Sequence, residues 1–275
     1  MHAPPPFHAL HQQATALVLP NAWDAASARL LDAAGAPAVA TSSASLSWSL
    51  GYPDGGALPR HELLGAVARI LRCIAVPLSV DIEDGFSADP AAVADLASTL
   101  AGMGVAGINL EDGGGEPSLL AEKIRAIRAS ETCRTLSINA RTDVCLRQLA
   151  SGEAAVDLVV RRGRAYRDAG ADGLFVPGLS LAAEVAGIAG AVGIPLNLMW
   201  LPGLPDRTAL ETAGMRRLSA GPAPFLVAYA QFERSVAAWT EGAADALRVD
   251  GLSFARMDAL VRAGQGLPLG TTAPP

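Results

Sequence analysis

Short apolar runs alternate along this chain with longer stretches in which apolar residues recur every three or four positions. The short runs predict buried strands, and the longer stretches predict amphipathic helices that cover them. One strand and one helix together take roughly 30 residues, which is typical of βαβ units. Strands are predicted at 16–19, 38–41, 77–83, 107–111, 136–141, 173–177, 195–199 and 217–219. Helices are predicted at 25–34 behind an Asp24 cap, up to about 73, and at 90–101, 119–129, 154–169, 181–189, 208–213, 224–240 and 254–263.

Eight strands that each precede a helix predict an α/β fold, the (β/α)8 or TIM barrel. The 275 residues fit one such barrel, which typically takes about 250. We therefore expect a single domain over 1–275, with the barrel at about 14–240 and a helical extension at about 241–265. The composition supplies a large core, because 51% of the residues are hydrophobic and 17% are charged.

Charge and cysteine content exclude several classes of function. The net charge of -6 comes without a basic stripe, so we expect no nucleic-acid partner and no anionic-membrane surface. Three cysteines without metal-like spacing favour reduced thiols in a cytoplasmic protein. No stretch reaches membrane-spanning length, and the start of the chain lacks the pattern of a signal peptide.

Polar residues close three of the predicted strands. Because side chains alternate along a strand, each group should point to one face. The groups are Asp81 and Glu83, then Asn109 and Glu111, then Asn139, Arg141 and Asp143. In a barrel, side chains at the ends of several strands converge on one site.

The expected site contains more negative than positive charge. Asp54, Asp81, Glu83 and Glu111 would meet at the mouth of the barrel with Arg141 as the one evident cation. Carboxylates this close repel one another in a partly dry site, which indicates a missing cation. Oxygen ligands without His or Cys suit Mg²⁺ or Mn²⁺.

Other positions have two interpretations each. Arg141 either pairs with a structural carboxylate or binds a carboxylate or phosphonate of the substrate. The hydroxyl-rich run 42–49 is either a surface loop or an anion-binding hole. Asn197 is either polar filler or a substrate contact.

A few polar residues are expected to have structural roles or none. Asp84 and Asp112, each followed by glycine, favour turn chemistry or helix capping. Cys145 is expected to be a packed thiol, and the four histidines indicate no site.

Seven segments, in this order and spacing, resemble the isocitrate lyase / phosphoenolpyruvate mutase superfamily. They are PNAWD at 20–24, SSASLSWSLGYPD at 42–54, DIEDG at 81–85, NLED at 109–112, NARTD at 139–143, PLNLM at 195–199 and RRLSAGP at 216–222. The resemblance covers about residues 10–265. It implies a Mg²⁺-dependent barrel that acts on 2-oxo acids through an enolate-like or oxyanion intermediate.

By position, the resemblance also implies roles for individual residues. Asp81 would bind the metal directly, with Glu83 and Glu111 reaching it directly or through water; Glu83 stands where many members have Asp. Asp54 would lie at the edge of the pocket. The implied substrate contacts are Ser42, Ser43, Ala44, Arg141 and Asn197, and the implied catalytic residues are Arg141, Asp54 and Glu111.

One segment departs from the superfamily pattern. Isocitrate and methylisocitrate lyases carry a loop after the fourth strand with a proton-donating Cys, and the mutases carry a long gate with an Asn. Here residues 111–118 pass almost at once into a helix and contain neither residue. The shortened gate argues against isocitrate cleavage and against phosphonate mutation.

Three functions remain. The first is a lyase that cleaves a C–C bond in a small 2-oxo or 2-hydroxy carboxylate, by decarboxylation or retro-aldol chemistry. The second is a P–C bond enzyme, a mutase or a hydrolase. The third is a barrel that only binds a carboxylate. Since superfamily members exchange their last barrel helix between subunits and 224–240 is unusually apolar, we also expect a homodimer or homotetramer.

Overall fold

The computed structural model describes residues 7–248 and 251–266. Within these ranges the strands are β1 (Leu17–Leu19), β2 (Asn21–Ala22), β3 (Val39–Thr41), β4 (Leu78–Asp81), β5 (Gly107–Glu111), β6 (Ser137–Arg141), β7 (Gly173–Phe175), β8 (Leu196–Met199) and β9 (Met215–Ser219). The helices are α1 (Phe7–Leu10), α2 (Ala25–Ala33), α3 (Ser43–Ser49), α4 (Arg60–Leu71), α5 (Pro90–Gly102), α6 (Pro117–Ala129), α7 (Gly152–Ala169), α8 (Ala182–Val192), α9 (Arg207–Thr212), α10 (Ala223–Thr240) and α11 (Phe254–Gly264).

All strand pairs are parallel, and their order runs β1-β9-β8-β7-β6-β5-β4-β3-β2. The segment 17–22 closes the ring, because β1 pairs with β9 while β2 pairs with β3. Pro20 interrupts this segment, since proline has no N–H to donate to a ladder. The eight predicted strands are therefore present, the short β2 at Asn21–Ala22 is an additional strand that was not predicted, and the TIM-barrel fold is confirmed.

The strand predicted at 77–83 ends earlier than expected. β4 stops at Asp81, and Glu83 adopts φ of 51°, in the left-handed region. The Gly85 N–H donates to the Ile82 carbonyl at 2.8 Å, so a tight turn begins where the strand was expected to continue. Gly85 also has a positive φ, and a Cβ there would come within 2.7 Å of the Val93 side chain. Glycine at this position therefore allows both the turn and the close packing of α5.

The hydroxyl-rich run after β3 is neither an extended loop nor a linker. It forms the short helix α3, and Ser42 is its N-cap, accepting the Ser45 N–H at 3.5 Å. The predicted cap of α2 is confirmed as well, because Asp24 accepts the Ser27 N–H at 2.7 Å.

The amino-terminal end of the barrel is covered by α1. A small core beneath it contains Phe7, Leu10, Leu17, Leu19, Ala38 and Ala40. The Phe7 ring lies 2.7 Å from the position that a Cβ would take at Gly107, so glycine is needed on that strand. The larger core lies between the sheet and its helices. The carboxyl ends of the strands are thus left as the open mouth of the barrel.

Helix α10 packs little against the rest of the described chain. It is 18 residues long, and Phe225 is its one buried residue. Its exposed large hydrophobic side chains are Leu226, Val227, Tyr229, Phe232 and Trp239. α11 contacts α2 instead, where Arg29 Nε donates to the Leu260 carbonyl at 2.8 Å. Among the described residues, none of the helices has the length and apolar character needed to cross a membrane.

Candidate active site

A cavity of about 160 Å³ opens at the carboxyl ends of the strands. Six residues predicted for the site line it: Ser42, Ser43, Ala44, Asp54, Asp81 and Arg141. Glu83 and Glu111 line a neighbouring pocket of about 320 Å³ with Gly55, Gly56 and Arg147. Larger clefts of about 560 and 610 Å³ lie elsewhere, at Phe7 and His8 and at His11 and Arg216, but none of the clustered mouth carboxylates lines them. The central cavity is smaller than pockets for drug-sized ligands and suits a small substrate.

Asp81 ends β4 with its side chain inside the barrel. The strand alternation places it there as predicted, and its neighbour across the ladder is Asn109. Its N–H donates to Thr41 Oγ1 at 2.9 Å, and its Oδ1 accepts the Glu83 N–H at 3.0 Å. Burial raises the pKa of Asp81, while Arg141 and a hydrogen bond from the Asn109 side chain oppose that rise.

Glu83 reaches the same region from the turn rather than from the strand. It is 6% exposed, and its Oε1 is buried without a hydrogen-bond partner. Burial raises its pKa to about 7, with the charges of Asp81 and Asp54 adding to the effect. A left-handed conformation in a residue with a long side chain is strained, and strain of this kind is concentrated at functional sites.

Glu111, the last residue of β5, forms an ion pair with Arg141, with Oε2 2.7 Å from Nη1. Burial raises the pKa of Glu111 to about 8; Arg141 lowers it, and Asp81 and Asp143 raise it further. Since burial and the neighbouring carboxylates outweigh the ion pair, this carboxylate would gain from a second nearby cation.

The contacts of Arg141 are compatible with both predicted roles, pairing with a structural carboxylate and binding a substrate anion. Its Nε and Nη2 donate to the two carboxylate oxygens of Asp143 at 2.6 and 3.0 Å. The Nε and Nη2 edge of the guanidinium is therefore held by a structural carboxylate. Burial lowers the pKa of Arg141, but Glu111, Asp143 and Asp81 outweigh it and the net shift is upward. Asp143 takes two of the five N–H groups of the guanidinium, and the ion pair with Glu111 engages a third; within residues 7–248 and 251–266, one N–H group on each terminal nitrogen is left for a ligand. Those two N–H groups can bind a further carboxylate at the cavity.

The carboxylates at the mouth fit a hard divalent cation. Asp81, Glu83 and Glu111 offer oxygen donors alone, and the unpartnered Oε1 of Glu83 is a buried acceptor that needs a positive partner. Within residues 7–248 and 251–266, no three such side chains are already gathered at ligand spacing. This arrangement is compatible with Mg²⁺, which takes one or two carboxylates directly and keeps several waters.

Ser42, Ser43 and Ala44 form the wall of the cavity at the start of α3. The first amides of a helix have no intrahelical acceptor, so they can donate to an anion. The Phe175 ring forms another part of the wall and lies 5.7 Å from the Arg141 guanidinium carbon.

Two predicted residues lie away from this cavity. Asn197 is 1% exposed and lines a small pocket of about 10 Å³ with Asn139 and Arg217 instead, and its side-chain nitrogen has no partner. Its role as a substrate contact stays a prediction. Cys145 is partly buried and does not line the cavity; burial, and then Glu184, raise the pKa of its thiol to about 11. A packed thiol was the expectation.

Two buried polar residues were missed by the sequence reasoning. Asn21 lines the cavity, where its Oδ1 accepts the N–H groups of Ala220 and Gly221, both at 2.9 Å. Arg217 is 2% exposed inside the barrel, and its Nη2 donates to Asn109 at 3.2 Å. Burial lowers its pKa to about 9, against the attraction of Asp81. The alternation rule applied to β9 would have found Arg217, because alternate residues of that strand are buried.

The two Asp-Gly turns differ from each other. Asp84 is turn chemistry as predicted, since its Oδ1 accepts the Phe86 N–H at 2.9 Å. Asp112 is buried instead, and its carboxylate accepts from Arg162 and Tyr166 on α7, each at 2.7 Å.

Comparisons with known proteins extend over most of the chain. The family described as phosphoenolpyruvate phosphomutase matches residues 7–240. An uncharacterised protein of Mycobacterium tuberculosis is 39% identical over 224 residues, 80% of this chain and 83% of that protein. An oxaloacetate decarboxylase of Rhodopseudomonas palustris is 30% identical over 258 residues, 88% of this chain and 87% of that enzyme. The crystal structure of a proposed phosphonomutase from Burkholderia cenocepacia J2315 is 36% identical, with a TM-score of 0.77, and covers 86% of this chain and 97% of its own.

Proposed function

The chain belongs to the phosphoenolpyruvate phosphomutase family, and we propose that it is a Mg²⁺-dependent lyase that breaks a C–C bond in a short 2-oxo dicarboxylate such as oxaloacetate. The observation that carries the proposal is the meeting of Asp81 and Arg141 at one small cavity, beside a neighbouring pocket that holds Glu111 and the unpartnered Oε1 of Glu83. The similarity to an oxaloacetate decarboxylase supports the choice of substrate.

Asp81 would hold the metal directly, with Glu83 and Glu111 reaching it directly or through water. Mn²⁺ is an alternative with the same preference for oxygen donors. When bound, the cation supplies Lewis-acid stabilisation of the negative charge that develops on the 2-oxo group. Asp54, at the rim of the cavity, adds negative charge that favours cation binding.

Arg141 would orient the substrate. Its two free N–H groups bind one substrate carboxylate, and the first amides of α3 at Ser43 and Ala44 donate to a second anionic oxygen. Holding both ends fixes the bond that breaks in line with the carbonyl π system. In a decarboxylation, the electrons of that bond pass into the carbonyl group, CO₂ leaves, and C3 takes a proton. With the thiol of Cys145 away from the cavity, we assign that proton to solvent water.

Turnover assays test this function directly. Purified protein with Mg²⁺ should release pyruvate and CO₂ from oxaloacetate, and it should release negligible glyoxylate from isocitrate because the gate lacks the Cys. Asp81→Ala should abolish the turnover of oxaloacetate, while Asp84→Asn is the matched control in the same turn. Asp84 is 52% exposed and Asn can still accept the Phe86 N–H. Rapid glyoxylate release, or full activity of Asp81→Ala, would contradict the proposal.

P–C bond chemistry is the second candidate, and the similarity to a proposed phosphonomutase favours it. Phosphorus NMR of phosphonopyruvate incubated with the protein and Mg²⁺ separates the two. Formation of phosphoenolpyruvate or inorganic phosphate would favour a mutase or a hydrolase. Metal-dependent exchange of the C3 protons of pyruvate, without net turnover of any substrate, would show that the site activates carbonyl groups, whereas no exchange would favour a barrel that only binds carboxylates.

The exposed face of α10 supports a further proposal, a homodimer or homotetramer in which this helix packs on another subunit. Its single buried residue, Phe225, contacts Trp23, Trp48 and Tyr229, and the aromatic row continues along the helix to the exposed Phe232. Apolar faces of this extent on a helix usually mark an interface.

A further inference from the structure

A buried network that reaches from α7 to β6 lies behind Arg141, and its centre is Asp112. The Asp112 side chain is fully buried, and its Oδ2 accepts both the Tyr166 hydroxyl and Arg162 Nη1 at 2.7 Å. A buried carboxylate with two strong donors on one oxygen is held firmly. Burial, and then the charge of Asp112, raise the pKa of Tyr166, so its hydroxyl remains a neutral donor.

Asp112 also fixes the backbone at Arg141 and at Asp143, the carboxylate partner of that arginine. Its N–H donates to the Arg141 carbonyl at 3.1 Å, and its Oδ1 accepts the Asp143 N–H at 3.2 Å. Asp143 in turn holds Arg141 through Nε and Nη2. Glu111, the other carboxylate on Arg141, is the residue next to Asp112. The positions of Asp143 and Glu111, the two carboxylates that contact the Arg141 guanidinium, therefore depend on Asp112.

The donors of this network come from one face of α7, since Arg162 and Tyr166 are four residues apart. Gly163 lets that face approach the barrel: a Cβ there would lie 2.7 Å from Leu174 Cδ2 on β7. A larger residue would push α7 outward and withdraw both donors from Asp112.

From these contacts we propose that Asp112, Tyr166 and Arg162 are positioning residues that orient the guanidinium of Arg141 toward the substrate carboxylate. The expected effect of these residues on turnover rests on the proposed function. Their expected effect on the orientation of Arg141 does not.

A matched control lies at the other end of β6, where Asp172 makes similar contacts. Asp172 also donates its N–H to a β6 carbonyl, that of Ile138 at 2.8 Å, and its carboxylate accepts the Ile138 N–H at 2.7 Å. Arg128 holds Asp172 in an ion pair as Arg162 holds Asp112. Asp172 therefore has the same kind of bracing contacts, but it is far from the mouth.

The first measurement is calorimetric binding of oxalate in the presence of Mg²⁺, since oxalate is a compact dicarboxylate. Tyr166→Phe and Asp112→Asn should each weaken oxalate binding about 10-fold through Arg141, whereas Asp172→Asn should change it by less than about two-fold. Arg141→Lys combined with Tyr166→Phe should lose no more affinity than Arg141→Lys alone. Additive losses in this pair, or an equal loss in Asp172→Asn, would overturn the inference.

Turnover of oxaloacetate gives a second readout. Tyr166→Phe should raise KM, because the arginine binds the substrate carboxylate in the ground state, and any fall in kcat from poorer alignment should accompany that rise. An equal fall of kcat with no change of KM would contradict a role through Arg141. Tyr166→Phe removes one hydroxyl and keeps the ring, so it can decide the question if Asp112→Asn fails to fold.

The third readout needs no substrate. The Arg141 Nε–H donates to Asp143 at 2.6 Å, so its NMR signal should exchange slowly in the wild type and in Asp172→Asn, and faster in Tyr166→Phe. If the wild type neither binds oxalate nor converts oxaloacetate, the proposed function fails and this exchange rate alone decides the inference. Unchanged exchange in Tyr166→Phe would refute it.

Discussion

Replacing Arg141 by lysine separates charge from geometry at the candidate active site. A lysine keeps one positive charge but has a single nitrogen with three N–H groups in place of the five of the planar fork. Asp143 and Glu111 together use three N–H groups of Arg141, so a lysine that satisfies them has none left for a substrate. The variant should therefore remain cationic but bind the substrate carboxylate poorly.

The size of the effect follows from the two N–H groups that the proposal assigns to the substrate carboxylate. A hydrogen bond to a charged group contributes about 1.5–3 kcal/mol, so the loss of two costs at least roughly 3 kcal/mol. Since about 1.4 kcal/mol corresponds to a factor of ten, kcat/KM should fall by roughly 10² or more. Steady-state kinetics with oxaloacetate and Mg²⁺ measure this fall, and circular dichroism checks that the variant is folded.

Arg147→Lys is the control for Arg141→Lys. Arg147 contacts the same Asp143, through Nε at 3.4 Å, but its side chain is 53% exposed and lines the neighbouring pocket rather than the central cavity. Its replacement should change kcat/KM by less than about three-fold, as is usual for exposed ion pairs. An unimpaired Arg141→Lys, or equal losses in both variants, would refute the assignment of Arg141 as the substrate-binding cation.

Three further predictions concern the metal, pH and assembly. Asp81→Ala should remove Mn²⁺ binding in calorimetry while Asp84→Asn keeps it; equal affinities in wild type and Asp81→Ala would contradict the assignment. Because the pKa values of Glu83 and Glu111 rise from 4.5 to about 7 and 8, the folded protein binds more protons than the unfolded chain over that range. Without metal, the free energy of unfolding should therefore fall as pH rises from 4.5 to about 8. Mg²⁺ should restore this free energy at the upper end of the range. If thermal unfolding in the presence of a chelator does not depend on pH, the result would argue against burial of these carboxylates. Light scattering should give a dimer or tetramer, and Phe232→Glu on α10 should shift it toward monomer; a wild-type monomer at micromolar concentration would refute the interface.

Much of the barrel and the centre of the site follow from local sequence. The spacing of apolar runs predicts every strand of the ring except the two-residue β2, because burial on both faces of a parallel sheet requires continuous apolar residues. Alternation then places Asp81, Asn109, Asn139 and Arg141 inside the barrel, where the structure has them. Both signals depend on neighbours within a few residues, which is why the sequence alone determined them.

Other features depend on contacts between distant segments, and only the tertiary structure decided them. Glu83 leaves the strand pattern in a tight turn where α5 lies close to Gly85, and no local period records that approach. Asp112 looks like turn chemistry in the sequence, but its partners on α7 lie 50 and 54 residues further along the chain. Likewise, Asp143 occupies the Nε and Nη2 side of the Arg141 fork, while Glu111 from a different strand pairs with Nη1. The sequence determines which charged residues are present, but the packing of the helices on the closed barrel determines which carboxylate pairs with which cation.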